Sequence, residues 1–424
     1  MASGPLVGIK VLEFTQILAG PSACAHLGDM GAEVIKVEPP GGEPWRVAQQ
    51  FIPGESKWFH QLNRGKQSLV LKLDEPEAQE IVHRLVPEMD VVVINYRPDV
   101  AARLKIDYET LRELKPDLIY CDNTAFGRKG PWEHRPGYDI VAQAASGLMA
   151  SEGKITDGGQ PKSIQSTALA DYSTGLAMAW GVCAALFHLE RTGEGQAIES
   201  TLLQTAMFFQ MERVMRLPAA DPMNVARMER VHALRDGGAS YPELVDAYDP
   251  RKVLSAINSV YRAYTTKDGA LAIGALSAAL RGKVRGAIGT DFLGADDPDF
   301  DPLNPEWVEQ ARVAVLGIEE TMKTKTTAEW MEIFDRQGVP ASPVNFAEDL
   351  PDDPQVIENE MMVDLVHDLS GPEQQVAPIL KFSKTPLEAQ GSSPPLGRDT
   401  AKIAAGVGFS DEQIADLQAR GVIG

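Results

Sequence analysis

The stretch GIKVLEFTQILAGPSACAHLGDMGAEVIKVE, residues 8–38, decides the fold. Gly8 to Phe14 is a β-rich apolar run and reads as a strand. Pro21 to Gly31 reads as a helix closed by glycine, which takes the left-handed conformation that ends helices without a Cβ penalty. Ala32 to Glu38 is a second strand. A strand, a helix and another strand in this order form a βαβ unit, because parallel strands need a crossover between them. Strand signals recur at Ser68 to Leu73, Asp90 to Tyr96 and Leu118 to Asn123, giving an α/β chain of Rossmann-like order. The first turn, TQILAGP (15–21), lacks the G-x-G-x-x-G that seats a dinucleotide pyrophosphate, which disfavours a nicotinamide dehydrogenase.

Farther along, residues 171–191, DYSTGLAMAWGVCAALFHLER, begin with helix-capping types and stay apolar on every face as far as Phe187. This predicts a buried helix, closed by Thr192 to Gly195. Between about 215 and 260 strand signals fade, and we expect linker and crossover. YRAYTTKDGALAIGAL (261–276) places two β-rich runs around Lys267-Asp268-Gly269, a hairpin signal that opens a smaller domain. An acidic, proline-containing loop follows at 294–305, then a helix near 326–337, then a proline-bearing second linker over 337–356. The tail FSDEQIADLQARGVIG (409–424) predicts an amphipathic helix with Ser410 as its N-cap.

Composition bounds the function. A chain of 424 residues, 44% hydrophobic, exceeds what one core usually supports, so two or more domains are expected. No run of about 18 apolar residues occurs, and we expect a cytoplasmic protein without a membrane partner. Sixty acidic against forty basic side chains give a net charge of -20, which argues against a general nucleic-acid binder. Basic residues do gather early, at Lys36, Arg46, Arg64, Lys66, Arg97, Arg103, Lys105, Arg128 and Lys129, and most read as solvated surface. The cysteines Cys24, Cys121 and Cys183 are far apart and odd in number, so neither disulfides nor a metal centre is expected.

Ten short stretches, in order over most of the chain, carry a resemblance: GIKVLEFT (8–15), AGP (19–21), GAEVIKVEPPGG (31–42), NYRP (95–98), GRKGP (127–131), RPGYDIVAQAASG (135–147), ADYSTG (170–175), RTGEGQ (191–196), GVPASPV (338–344) and PPLG (394–397). Together they resemble family III CoA-transferases of the CaiB/BaiF type. The resemblance implies a Rossmann-like large domain formed by both chain ends, a smaller α+β domain between them, and two protomers interlocked as a homodimer. On this chain the implied organisation is 1–200 large domain, 201–225 linker, 226–322 small domain, 323–350 linker and 351–424 the rest of the large domain. It also implies transfer of CoA from an acyl-CoA to a small carboxylic acid, with CoA thioester as substrate and no tightly bound cofactor.

By this resemblance Asp171 is the nucleophile, forming an aspartyl-acyl anhydride and then an aspartyl-CoA thioester. Read from its neighbours alone, the same residue is an N-cap. The two roles are compatible, since the helix N-terminus would keep the carboxylate ionised and its free N–H groups could stabilise an oxyanion. The implied CoA contacts are Gln16, Ala19, Lys66, Leu71, Asn95, Tyr96, Arg103, Tyr138 and Asp139. Among them Arg103 suits phosphate and Tyr96 suits adenine stacking. Pro39 stands where some relatives have a basic residue. Two other readings compete with transfer. An α-methylacyl-CoA racemase needs a second base, and relatives of that kind carry Gly-His-Asp where this chain has Gly137-Tyr138-Asp139; tyrosine is poorly poised for proton exchange at neutral pH. His134, the only histidine close by, is read as surface. A non-catalytic CoA-binding subunit is disfavoured by retention of Asp171. The chain offers only Gly237-Gly238 where formyl-CoA and oxalate enzymes of the family carry a four-glycine loop, so that specificity is not expected.

Overall fold

A computed structural model describes residues 3–219, 222–248, 258–299, 301 and 304–424. Its contacts divide the chain into two units, Met1–Pro222 with Gln355–Gly424, and Met223–Pro354.

The larger unit is built on a six-stranded sheet of β1 (Lys10–Phe14), β2 (Glu33–Glu38), β3 (Gln67–Val70), β4 (Val91–Ile94), β5 (Ile119–Thr124) and β6 (Ala197–Thr201). Every neighbouring pair is parallel, and the order across the sheet is β3-β2-β1-β4-β5-β6. Alternate side chains feed two cores, as the two-residue period of a strand requires. Leu12, Phe14, Val92 and Ile94 pack on one face with Ile81, Leu85, Leu111, Ile414 and Leu417. Val11, Val91, Val93 and Cys121 face the other side, against α1 (Ala19–Asp29) and, after α2 (Asp139–Ala145), the long α3 (Leu169–Thr192). The C-terminal helix Asp411–Ala419 thus closes a core begun four hundred residues earlier; Ser410 is its N-cap, as read from sequence, and forms a capping box with Gln413. Leu71 leaves β3 to bridge Ile423.

Helix α3 corrects the sequence expectation. One stripe, Ala170, Thr174, Met178, Val182 and Ala185, is buried. Trp180 and Phe187 on another face are 72% and 64% exposed. Periodicity could not distinguish a helix buried all round from one whose second apolar face lies open in the single chain. After α3 come β6 and α4 (Leu202–Phe208), so the expected linker at 201–225 begins as helix.

The smaller unit contains the expected hairpin, β7 (Tyr261–Thr265) with β8 (Ala270–Gly274), and a third strand β9 (Ala341–Pro343) beside β8. Its core joins Tyr264, Leu271 and Ile273 to Ile318, Met322, Trp330 and Phe334. The helix read near 326–337 is present as Thr327–Gln337, and with β9 it joins this core, so the stretch 323–350 that the resemblance placed as linker is part of the smaller unit. Helices Pro222–Asp236 and Tyr241–Tyr248 occupy much of the region expected to be irregular; residues 249–257 of it lie outside the described residues.

A second hairpin, β10 (Met362–His367) with β11 (Gly371–Val376), had no sequence reading. It is tied to the larger unit through His60, whose Nδ1 lies 2.6 Å from Glu373 and Nε2 3.1 Å from Glu55. Burial alone would lower the His60 pKa, but these two carboxylates raise it. His367 Nε2 lies 3.6 Å from the same Glu55. His367 Nδ1 accepts from the N–H groups of Leu369 and Ser370, which leaves the ring proton on Nε2 and makes this nitrogen unfit to ligate a metal.

Candidate active site

In a sheet of this order the chain turns in opposite directions after β1 and β4, and the divergence opens a crevice at the carboxyl ends of the strands. A cleft of about 310 Å³ lies there. The turn after β1 lines it with Gln16, Ile17, Leu18 and Ala19; the end of β4 adds Asn95 to Pro98; the end of β5 adds Asn123 to Phe126. Glu133, Arg135 to Tyr138, Asp171 and Leu202 complete it.

Asp171 is the third residue of α3, not its cap. The N-cap position is Ala168, with no side-chain bond. The capping acceptor comes from another helix: Asp139, first residue of α2, accepts at Oδ1 from the N–H of Ala170 at 2.7 Å and of Asp171 at 3.3 Å. Its Oδ2 accepts from Gln143 Nε2 at 2.5 Å, and buried Gln143 is itself fixed to both backbone groups of Ile164. Two of the helix-end donors expected to meet an oxyanion, the N–H groups of Ala170 and Asp171, are therefore occupied.

Glycine at 175, one turn beyond Asp171, permits close packing, because a Cβ there would collide with Ser22 Oγ and the Ala19 carbonyl. The first turn of α1 thus rests on the helix that carries Asp171.

Asp171 is buried, 7% exposed, and its carboxyl accepts no hydrogen bond among the described residues. Burial, and secondarily the charge of Asp139, push its pKa up to about 7. Desolvation here works against the helix end, whose field favours the ionised form. Near neutrality the group is poised between acid and carboxylate, and an unsolvated carboxylate is the more reactive nucleophile.

Of the residues expected to contact CoA, the cleft gathers Gln16, Ala19, Asn95, Tyr96 and Tyr138. Gln16 N–H donates to Asn95 Oδ1 at 3.0 Å, and its Nε2 reaches Tyr96 Oη at 3.3 Å. Asp139 sits behind the cleft, holding α3. Lys66 is sealed away from it: Nζ contacts Glu13 at 2.8 Å, Asn63 Oδ1 at 2.9 Å and the Pro21 carbonyl at 3.0 Å. Leu71 belongs to the core. Arg103 is exposed and paired with Asp74. The resemblance implied these three, and none of them lines the cleft.

Sequence reading gave no role to Arg97 or Arg135, although both lie inside quoted motifs, nor to Asn123 to Phe126, which the crevice rule locates at a strand end. Arg97 is paired with exposed Asp99 at 2.9 Å, and Arg135 lies over the Trp132 ring. No histidine lines the cleft; His134 is exposed and 3.3 Å from Glu133.

Comparison with known proteins adds a name to this geometry. The sequence model of CoA-transferase family III matches residues 6–400. Human succinyl-CoA:glutarate CoA-transferase is 30% identical over 99% of this chain and 90% of its own length. Succinate–glutarate CoA-transferase of Agrobacterium fabrum is 33% identical over 95% of each chain. A CaiB/BaiF family protein from Brucella suis, known by crystal structure, superposes with a TM-score of 0.73 at 29% identity, covering 96% of this chain and all of its own.

Proposed function

The chain belongs to CoA-transferase family III, and from that membership we propose that it moves CoA from an acyl-CoA to a carboxylic acid through covalent intermediates on Asp171. The observation that carries the proposal is a buried carboxyl, unbonded and raised to about 7, at the crevice where the sheet order diverges.

The carboxylate attacks the acyl-CoA carbonyl, forming an aspartyl-acyl anhydride and releasing CoA thiolate. The thiolate attacks the aspartyl carbonyl, giving an aspartyl-CoA thioester and the donor acid. The acceptor carboxylate then attacks that thioester, and the freed thiolate takes the new acyl group, restoring Asp171. No proton is consumed over the cycle, and both intermediates survive only where water is kept out, which the burial of Asp171 favours.

Gln16, Ala19, Asn95, Tyr96 and Tyr138 are the contacts we assign to the CoA thioester, without any tightly bound cofactor. Arg97 and Arg135 offer cationic groups for anionic substrates. With the named activities of the relatives, they favour succinyl-CoA as donor and a short dicarboxylic acid such as glutarate as acceptor. Tyr138, where a racemase of this family would need histidine, speaks against α-proton exchange.

We also propose an interlocked homodimer. The open apolar face of α3, with Leu176, Trp180 and Phe187, and the exposed Phe208 and Phe209 at the end of α4, are what a large subunit interface would cover. A cytoplasmic setting fits the three free cysteines. The test is transfer by the purified chain alone, assayed with succinyl-CoA and acetyl-CoA against a panel of carboxylic acids. Formation of the acceptor's CoA ester supports the proposal, and no exchange with any pair removes it.

A further inference from the structure

Ile17 holds φ at 68°, in the left-handed region, and it is β-branched. Such residues almost never adopt this conformation unless their surroundings impose it. Ile17 lines the cleft between Gln16 and the start of α1.

The surroundings that impose it are three side chains that grip four backbone groups of three successive residues. Lys36 Nζ donates to the Thr15 carbonyl at 2.9 Å. Asn95 accepts from Gln16 N–H at 3.0 Å and donates to Gln16 O at 2.8 Å. Glu43 Oε2 accepts from Ile17 N–H at 2.7 Å. Lys36 and Glu43 are joined to each other at 3.1 Å, both fully buried, and Glu13 anchors Lys36 from below at 3.0 Å. Neither Lys36 nor Glu43 lines the cleft. A buried ion pair adds little net stability over well-packed apolar side chains of the same size. Its cost in desolvation makes sense where it fixes a conformation that packing alone would not.

We infer that Glu43 and Lys36 are positioning residues for the transfer reaction, clamping the Thr15–Ile17 turn in its strained form so that Gln16 and the first turn of α1 meet the substrate beside Asp171. This rests on the transferase reading above. Without the clamp, Ile17 relaxes out of the left-handed region, the Gln16 backbone rotates with it, and the floor on which α1 meets α3 shifts.

The test uses the full chain with succinyl-CoA and glutarate. Glu43→Ala should lower kcat by about tenfold or more, with a smaller change in KM, as loss of alignment rather than of uniform binding requires. In the Ile17→Gly background, where the left-handed turn carries no penalty, the same Glu43→Ala change should cost less than about threefold. Glu43→Gln keeps an acceptor for the Ile17 N–H and should stay within about threefold of wild type, which keeps the test available if Glu43→Ala does not fold. Equal losses in both Ile17 backgrounds, or a loss of about tenfold in Glu43→Gln, would overturn the inference. A crystal structure of Glu43→Ala separates the two readings: residue 17 remaining at positive φ sinks this one, whereas absence of transfer by the wild type sinks the transferase reading and leaves the clamp intact.

Discussion

Replacing Asp171 with asparagine removes a buried charge while keeping the side-chain outline, and the consequence for stability can be worked out. Burial, and then the Asp139 charge, raise the carboxyl from its ordinary 3.8 to about 7. The folded chain therefore holds the proton to higher pH than the unfolded chain does. Stability that is complete while both states are protonated, below about pH 4, is lost as pH rises towards 7, and little further loss accrues above that. A rise of about three pH units corresponds to roughly 4 kcal/mol in full, of which on the order of 2.5 kcal/mol falls between about pH 5 and about pH 8. Asparagine has no charge to bury, so its advantage over wild type should widen by that amount across the interval. For a unit of about 290 residues this is about 4 °C in unfolding midpoint. The assay is thermal unfolding of wild type and Asp171→Asn at both pH values and equal protein concentration. Every other titrating group is shared and cancels in the difference. A gap between the two proteins that stays constant with pH would refute the reasoning.

Because only the carboxylate attacks, kcat/KM should rise with pH through about 7 and then level, and Asp139→Asn, which keeps the acceptor for Ala170 N–H but drops the charge, should move the inflection to lower pH; a flat profile contradicts both. In deuterated water a 2-methylacyl-CoA should keep its α-proton, since tyrosine stands at 138 and no histidine lines the cleft; rapid deuterium uptake with racemisation would favour the isomerase. Sedimentation should show a dimer down to the lowest concentration at which the chain stays folded, because interlocked protomers have no dissociation step short of unfolding, and a folded monomer at micromolar concentration would end that proposal.

The parallel sheet was legible because its strands carry what such strands need: continuous apolar runs such as Val91 to Ile94, buried on both faces, with a glycine-closed helix between the first two. The hairpin of the smaller unit and the Ser410 cap were readable for similarly local reasons. What escaped depends on distant partners. The helix near 326–337 was legible, but the core that its Trp330 and Phe334 share with Tyr264 and Ile318, within the stretch the resemblance placed as linker, was not.

At the site, Asp171 was found through its motif, but its setting was not. An aspartate before Ser-Thr-Gly looks like a cap, and only the fold brings Asp139 to take that role and to raise the pKa of Asp171. Lys66 was implied as a CoA contact and Arg103 as a phosphate ligand, but sequence shows a charge and not its partner: Lys66 is buried against Glu13, and Arg103 pairs with Asp74 outside the cleft. The strain at Ile17 has no sequence signature, since isoleucine is among the last residues one would place at positive φ.

The central claim is that Asp171 carries CoA during turnover, and mass spectrometry tests it most directly. Wild-type protein incubated with succinyl-CoA and digested should yield a peptide containing Asp171 with CoA attached. Neither Asp171→Ala nor Asp171→Asn should show the adduct, and both should lose transfer by at least about three orders of magnitude, a barrier increase of roughly 4 kcal/mol, while folding normally. An adduct on another residue, or full activity in an Asp171→Asn protein whose mass excludes deamidation to aspartate, would contradict the mechanism.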